Sequence, residues 1–292
     1  MKVSALYDQG SSKYREDGMI VGTTLFGVLD GVSEPYGPKY PLQLVNGYSS
    51  GEVIVREAER SMMLGEGEMN LKQNLANTIR RVAKLNLSIM SGATFAFANI
   101  NDGKLEIAQG GDCFAVLLMK DGAIFVTKNQ VRAHDVKMNG EIERLMVEIA
   151  KEWGFDSLES VPDEKTTNEI RGEMWNRFCL TLRKERVKDV NRPESSNAAY
   201  GLLNGDQNLL RTAIFRRFEL SDVSIVLLFS DGMIPWNLMK SSNDQEIGEG
   251  ALRLFQRSGL AGLLSSARGE EEKNLKSSYT NFAEATAIAI EL

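Results

Sequence analysis

The sequence predicts an α+β fold, a layered sandwich in which antiparallel strands pack against helices. Three observations predict it. Short β-like runs come in groups separated by helical stretches, which is not the strand-helix alternation of a parallel α/β fold. The runs between Ala93 and Thr127 are joined only by the turn signals Asn101-Asp102-Gly103 and Lys120-Asp121-Gly122, and a crossover helix has no room there. The closing run, Ala285–Glu291, resembles the central ones, so the helical middle of the chain reads as an insertion in one domain covering residues 1–292.

The elements follow in order. Val3–Tyr7, Met19–Gly22 and Thr24–Leu29 are rich in β-branched, aromatic or alternating residues and, like the later group, are bounded by Gly, Asp or Asn. A helix is predicted from about Leu42 to Met63. Leu71, Leu75, Ile79, Val82, Leu85 and Ile89 then recur at helical spacing among Lys, Arg and Asn, which marks an amphipathic helix. Ala93–Asn99, Lys104–Gln109, Cys113–Met119 and Ala123–Thr127 read as consecutive hairpins. From about Gly140 to Val190 the pattern is helical, interrupted by an acidic loop near Pro162-Asp163-Glu164, and the insertion spans about His134 to Ala199. Strands return at Thr212–Phe218 and Val223–Phe229, a helix follows around Ile247–Ala267, and Glu270–Lys276 reads as a charged loop.

Composition excludes several function classes. With 292 residues, 42% hydrophobic and 25% charged, the chain can build a full core and is neither disordered nor a disulfide miniprotein. Lys and Arg total 34 against 40 Asp and Glu, a net charge of −6, which disfavours a nucleic-acid or anionic-membrane partner. The longest apolar run, Phe114–Met119, is far below the roughly 20 residues of a membrane span. MKVSALYDQG has no secretory pattern, so a cytoplasmic location is expected. Cys113 and Cys179 form no CxxC pair and read as reduced, buried thiols. His134 is the only histidine, which leaves too few nitrogen and sulfur donors for a thiolate zinc site, and no GxSxG elbow supports a serine hydrolase. His134 itself reads as a helix-edge residue, and Met138, Met146, Trp153, Met174, Trp175 and Phe178 as packing.

The chemistry left is that of carboxylates, and these sit at strand ends. Glu16-Asp17 precedes one strand, Asp30-Gly31 ends the run Leu25–Leu29, Gly111-Asp112 opens Cys113–Met119, Ser230-Asp231-Gly232 ends Ile225–Phe229, and Glu284 precedes the last strand. A strand ending in Asp-Gly sets a carboxylate at the rim of a sheet and lets another backbone come close. Several such rims meeting would repel one another unless a divalent cation with oxygen preference, Mg²⁺ or Mn²⁺, lies between them.

In this order the motifs resemble the metal-dependent serine/threonine protein phosphatases of type 2C, in a divergent, bacterial-like form. The carrying segments are Glu16-Asp17, Asp30-Gly31, Ser91-Gly92-Ala93-Thr94, Gly111-Asp112, Ser230-Asp231-Gly232 and Ala283-Glu284-Ala285-Thr286, with Tyr200–Gly205 also similar to bacterial members. The resemblance implies a four-layer αββα sandwich of two antiparallel sheets, with the insertion as a flap. It implies that Asp30 bridges two Mn²⁺ or Mg²⁺ ions. Glu16 and the Gly31 carbonyl would serve one ion and Asp231 the other, and Asp112 with Asp231 would serve a third. It implies a phosphoprotein substrate and hydrolysis of phosphoserine or phosphothreonine by a metal-activated water, with Asp30, Asp231 and Glu16 as the catalytic set.

Three positions depart from the pattern. Ala283 stands where the family has its terminal metal-binding Asp, and Glu284 is the only neighbour able to replace it. Val32 stands where eukaryotic members have a histidine that protonates the leaving group. The phosphate-gripping Arg is out of register, leaving Lys13 and Arg15 as candidates. These departures motivate a second reading, a catalytically weak module that binds or regulates phosphorylated partners. A third is a hydrolase of small phosphate esters.

Overall fold

The computed structural model describes residues 1–194, 197–275 and 282–292. The chain begins with β1 (Lys2–Asp8), β2 (Asp17–Val21) and β3 (Leu25–Val32), then a small hairpin of β4 (Leu44–Val45) and β5 (Tyr48–Ser49). Helices α1 (Ser50–Leu64) and α2 (Leu71–Ala83) follow, then β6 (Gly92–Asn101), β7 (Lys104–Gly110), β8 (Phe114–Met119) and β9 (Ile124–Val126). Helices α3 (Arg132–Glu152) and α4 (Glu164–Asp189), at the place read from sequence as an insertion, come next. The short α5 (Leu209–Thr212) leads into β10 (Ile214–Glu219) and β11 (Val223–Phe229), and α6 (Trp236–Met239), α7 (Asp244–Leu275) and β12 (Ala285–Glu291) close the chain.

Two five-stranded antiparallel sheets result, in the orders β1-β12-β11-β8-β9 and β10-β7-β6-β3-β2. Each central strand is apolar on both faces because each sheet is covered on both. Leu25 and Leu29 of β3 and Phe95 and Phe97 of β6 pack under α1 and α2, while Phe26, Val28, Ala96 and Ala98 face the other sheet. In the second sheet Phe114, Val116, Leu227 and Phe229 lie under α7, while Ala115, Leu117, Val226 and Leu228 face inward. This is the αββα sandwich, and the period of two along every strand sorts its side chains between layers. Same-face stacks, Phe95 on Phe97 at 4.8 Å and Phe114 on Phe229 at 5.3 Å, anchor the outer cores. Each such ring contributes roughly 2–3 kcal/mol by burial.

The structure corrects several boundaries. The helix expected from Leu42 starts at Ser50, because Asn46 (φ 53°) and Gly47 (φ 87°) turn the hairpin and Ser49 caps the helix by accepting from the Glu52 amide. The next helix stops at Ala83, and Asn86 at φ 51° carries the chain out of helical geometry before Ile89. Helix α3 starts at Arg132, earlier than expected. Thr212 ends a helical turn rather than starting a strand. Helix α7 kinks at Gly259 (φ 68°) and runs on through the charged stretch to Leu275, with Lys276 outside the described residues. Both thiols are free and buried. Among the described residues no helix is long and apolar enough to cross a membrane.

The inserted helices share a core of Met138, Leu145, Ile149, Ile170, Met174 and Phe178. Their contacts pair His134 with Asp189 and Arg177 with Glu152, so the two run antiparallel. Along another side of α4, Asn176, Cys179, Arg183 and Arg186 bond to the backbone of Lys39, Tyr36, Pro35 and Ser33. That helix therefore holds the loop that leaves β3 just after Asp30-Gly31.

Candidate functional site

The two sheets meet at one rim, and strand register decides which carboxylates face it. Pairing of β2 with β3 sets Asp17 opposite Asp30, and pairing of β3 with β6 sets Asp30 opposite Thr94. Asp112 lies in the tight connection from β7 to β8, entered through Gly111 at φ 80°, where a Cβ would stand 2.2 Å from Thr94 Cγ2. Asp231 follows β11. Asp30 is acted on by the charges of Asp17, Asp231 and Asp112.

Asp17 is 2% exposed and ties the two sheets together. Its Oδ2 accepts from Ser230 Oγ and Thr286 Oγ1, each at 2.8 Å, and Ser230 Oγ accepts in turn from the Thr286 amide at 3.0 Å. Burial raises all four carboxyls above the ordinary range, with mutual repulsion adding for Asp17, Asp30 and Asp231. Asp17 is pushed up to about 8 and Asp231 to about 7; Asp30 goes well above its usual value, and Asp112 is also raised. Asp112 Oδ1 is buried without a hydrogen-bond partner.

The glycines beside these aspartates are required by close approach. A Cβ on Gly31 would stand 2.5 Å from the Glu16 carbonyl, and one on Gly232 only 1.8 Å from the Glu284 carbonyl. Gly31 donates its amide to that Glu16 carbonyl at 2.9 Å, which locks the end of β3 to the entry of β2.

Of the residues singled out in the sequence, Asp30, Asp112 and Asp231 come together, with Gly31 beside them. Glu16 does not join them. Its Oε1 accepts from Ser33 Oγ and Ser49 Oγ at the N-terminus of α1, where the helix dipole favours the charge. Glu284 is also placed elsewhere: Oε2 accepts from the Glu16 amide at 2.8 Å and the Asp17 amide at 3.3 Å, and Oε1 accepts from Tyr7 Oη at 2.9 Å. It caps the backbone of the site, with both oxygens engaged in these bonds. Ala283 is exposed, with its carbonyl on Arg268 Nη2 at 2.6 Å. Lys13 and Arg15 are exposed as well and lie over the rings of Tyr14 and Tyr7, at 5.2 and 4.9 Å.

The structure adds Asp17 to the cluster. A sequence signal was available, since Asp17-Gly18 is a third Asp-Gly step on this rim, and a Cβ on Gly18 would stand 2.4 Å from Val55 Cγ1. His134 stands at the edge of α3, in its first turn, and the structure adds that it is buried. His134 is 3% exposed, bonded through Nδ1 to Asp189 Oδ2 at 2.9 Å, and tilted against Tyr200. Desolvation lowers its pKa, so the ring is neutral near pH 7, with Nδ1–H donating to Asp189.

Two cavities open on the cluster. One of about 410 Å³ is lined by Asp112, Asp231, Asn129, Arg132, Trp236 and Lys240. The other, about 340 Å³, lies under the inserted helices and includes Asp112, Val32, Thr94, His134, Arg186 and Tyr200. The donor set at the rim is all oxygen, half-buried apart from the buried Asp17, and has one orphaned carboxylate atom, which suits a hard divalent cation. As the side chains stand, no three acidic, histidine or cysteine groups among the described residues form a finished ion site.

Residues 49–150 match the family model of protein phosphatase 2C. That segment is about a third of the chain, and the chain as a whole has the fold of the type 2C phosphatases. Its two-sheet sandwich superposes on the catalytic domain of the serine/threonine phosphatase PstP, a structure with two manganese ions, at a TM-score of 0.53 and 16% identity, covering 99% of this chain and 96% of that one. PstP/Ppp of Mycobacterium tuberculosis gives 0.52 at 17% identity, covering 100% and 98%. The phosphatase MsPP of Mycobacterium smegmatis, in complex with cacodylate, gives 0.51 at 14%, again covering 100% and 98%. At these identities the superpositions establish the type 2C fold. Comparison with curated protein sequences gives no match.

Proposed function

We propose that this type 2C chain hydrolyses phosphoserine or phosphothreonine on proteins with the help of Mn²⁺ or Mg²⁺. The observation that carries the reading is the group of buried Asp17 with half-buried Asp30, Asp112 and Asp231 at the rim where the two sheets meet. Four carboxyls held that close cannot all ionise in a dry site without a counter-charge. Without one they keep protons, in line with the raised pKa of each.

Asp30, Asp112 and Asp231 would hold the ions, with Asp17 behind Asp30. Bound there, the ions would supply Lewis-acid charge and a more acidic water. The chain's own residues do the rest. Gly31 and Gly232 keep the strand ends close enough to set the carboxylates in one place, and the Ser230 and Thr286 hydroxyls fix Asp17. Glu284 holds the Glu16 and Asp17 amides. The 410 Å³ cleft beside Asp112 and Asp231 is open to a side chain presented on a peptide, with Trp236 and Lys240 at its wall. Val32 presents only methyl groups, so no side chain at that position carries a proton to the leaving oxygen.

The test is manganese-dependent hydrolysis of p-nitrophenyl phosphate and of a phosphopeptide, with and without chelator. Asp30→Asn, which keeps shape and removes the charge, is expected to lower turnover at least 100-fold. Full activity in Asp30→Asn, or in the presence of chelator, refutes the reading. Preference for metabolite esters over phosphopeptides would instead move the substrate class to small molecules.

A further inference from the structure

We infer that Arg186, delivered by the inserted helix α4, is the cation that grips the phosphoryl group at this site, in place of Lys13 or Arg15. The inference rests on the phosphatase reading above and extends it to a residue outside the sequence motifs.

The arginines of α4 differ in what neutralises them. Arg177 is paired with Glu152 and Glu173, and Arg183 with Glu34. Arg186 is withdrawn from water far enough that burial lowers its pKa, yet its hydrogen bonds run to neutral carbonyls. Nη1 donates to Ser33 O at 2.9 Å and Met90 O at 3.2 Å. The charges of Asp135 and Glu16 act on it only at a distance. A desolvated guanidinium held by two backbone carbonyls and left without a carboxylate is costly, and an anion from outside offsets that cost.

The cavity supplies the space. Arg186 lines the 340 Å³ chamber together with Asp112, so the chamber adjoins the carboxylate cluster. Two buried polar atoms without a partner in the protein, His134 Nε2 and Asp112 Oδ1, belong to residues that line the same chamber. An apolar ligand would leave both acceptors unsatisfied, whereas a hydrogen phosphate can donate its P–OH to one of them while its ionised oxygens accept from the Arg186 fork. With Nη1 fixed, the planar guanidinium has its orientation set in advance, which favours two-point recognition of phosphate. Lys13 and Arg15, exposed over tyrosine rings, have no such fixing.

Inorganic phosphate serves as the probe, on the full chain, by titration calorimetry. Arg186→Gln is expected to weaken phosphate binding about 10- to 100-fold, the loss that goes with a charge-assisted hydrogen bond. Arg186→Lys should recover part of it, and the double variant Lys13→Ala/Arg15→Ala should change binding less than about 2-fold. Hydrolysis of p-nitrophenyl phosphate by Arg186→Lys should show the change in KM more than in kcat. Because Arg186 also ties down Ser33 and Met90, the unmutated protein with ¹⁵N-labelled arginine gives a second measurement. The Arg186 Nε resonance should move on phosphate addition while that of Arg15 stays. A still Arg186 resonance at saturating phosphate, or loss of binding in the Lys13/Arg15 variant alone, overturns the inference. Phosphate binding needs no turnover, so an inactive wild type that still binds phosphate through Arg186 would sink the phosphatase reading and not this one.

Discussion

Raising the pH over the chelated protein tests the carboxylate cluster directly. In the unfolded chain Asp17 titrates near 3.8, and in the folded chain near 8. A carboxyl whose folded pKa is raised binds its proton more tightly when folded, so stability is highest at low pH and falls as pH rises toward the folded pKa. Between pH 6.5 and 8 each unit costs at most about 1.4 kcal/mol per group. Asp17 therefore loses the fold roughly 2 kcal/mol over that window, and Asp231, with a folded pKa of about 7, adds somewhat under 1 kcal/mol before it is fully ionised. Asp30 and Asp112 act in the same direction. The window begins at pH 6.5 because His134, with its lowered folded pKa, costs stability only below its unfolded value near 6.5 and would oppose the trend there. A loss of 2–3 kcal/mol corresponds to a melting temperature lower by roughly 5–10 °C at pH 8. Differential scanning fluorimetry in chelator measures it. Asp17→Asn keeps an acceptor for Ser230 and Thr286 and removes one titrating group, so it should melt higher than wild type at pH 8 and show a shallower slope. Excess Mn²⁺ should flatten the slope in the wild type, with the cation replacing the protons. A chelated wild type whose melting temperature is flat or rises between pH 6.5 and 8, with Asp17→Asn indistinguishable from it, refutes the reasoning.

Glu284→Ala removes the acceptor of two backbone amides and the Tyr7 hydroxyl, and should cost about 2–3 kcal/mol by urea unfolding while leaving the number of Mn²⁺ ions bound unchanged. A calorimetric count lower by one ion would make it a ligand after all. Gly232→Ala drives a Cβ into the Glu284 backbone carbonyl, which no rotamer relieves, so a loss of roughly 3 kcal/mol or more is expected, and a wild-type melting temperature would contradict the close approach. His134→Leu leaves the 1%-exposed Asp189 with only Lys137 at 3.7 Å, at a cost of about 3 kcal/mol. The double variant His134→Leu/Asp189→Leu should regain part of that loss, and strict additivity of the two changes would argue against the pair.

The layered fold was legible because local rules wrote it. Asp102 at φ 49° and Gly103 at φ 71° make the tight hairpin that the Asn-Asp-Gly signal announces, and such turns force antiparallel neighbours. The doubly apolar strands announce a sheet covered on both sides. Helix ends were less legible, since Ser49, Asn46 and Asn86 act through caps and left-handed turns that apolar periodicity does not register. The way α4 engages the loop after β3 was hidden altogether. It depends on Asn176, Cys179, Arg183 and Arg186 meeting backbone groups of residues far away in sequence, and backbone groups carry no sequence signature.

In the site, the limit was strand parity. Glu16 and Asp17 are adjacent, as are Ala283 and Glu284, and at the entry to a strand adjacent side chains leave on opposite faces. A motif can bring both members of each pair to the rim, but only the register with a partner strand selects which one faces the cluster. Here β2 pairs with β3 so that Asp17 stands opposite Asp30, which sends Glu16 to the cap of α1. Glu284 in turn accepts from the amides of Glu16 and Asp17, so it fixes the backbone that presents Asp17. Cation placement follows a different rule. A positive charge near the motif in sequence can relax onto an exposed ring, as Lys13 and Arg15 do, whereas one held without a carboxylate beside the cluster has to be fixed by surrounding structure. The inserted helix provides that at Arg186, which ties the insertion to the chemistry as well as to the packing.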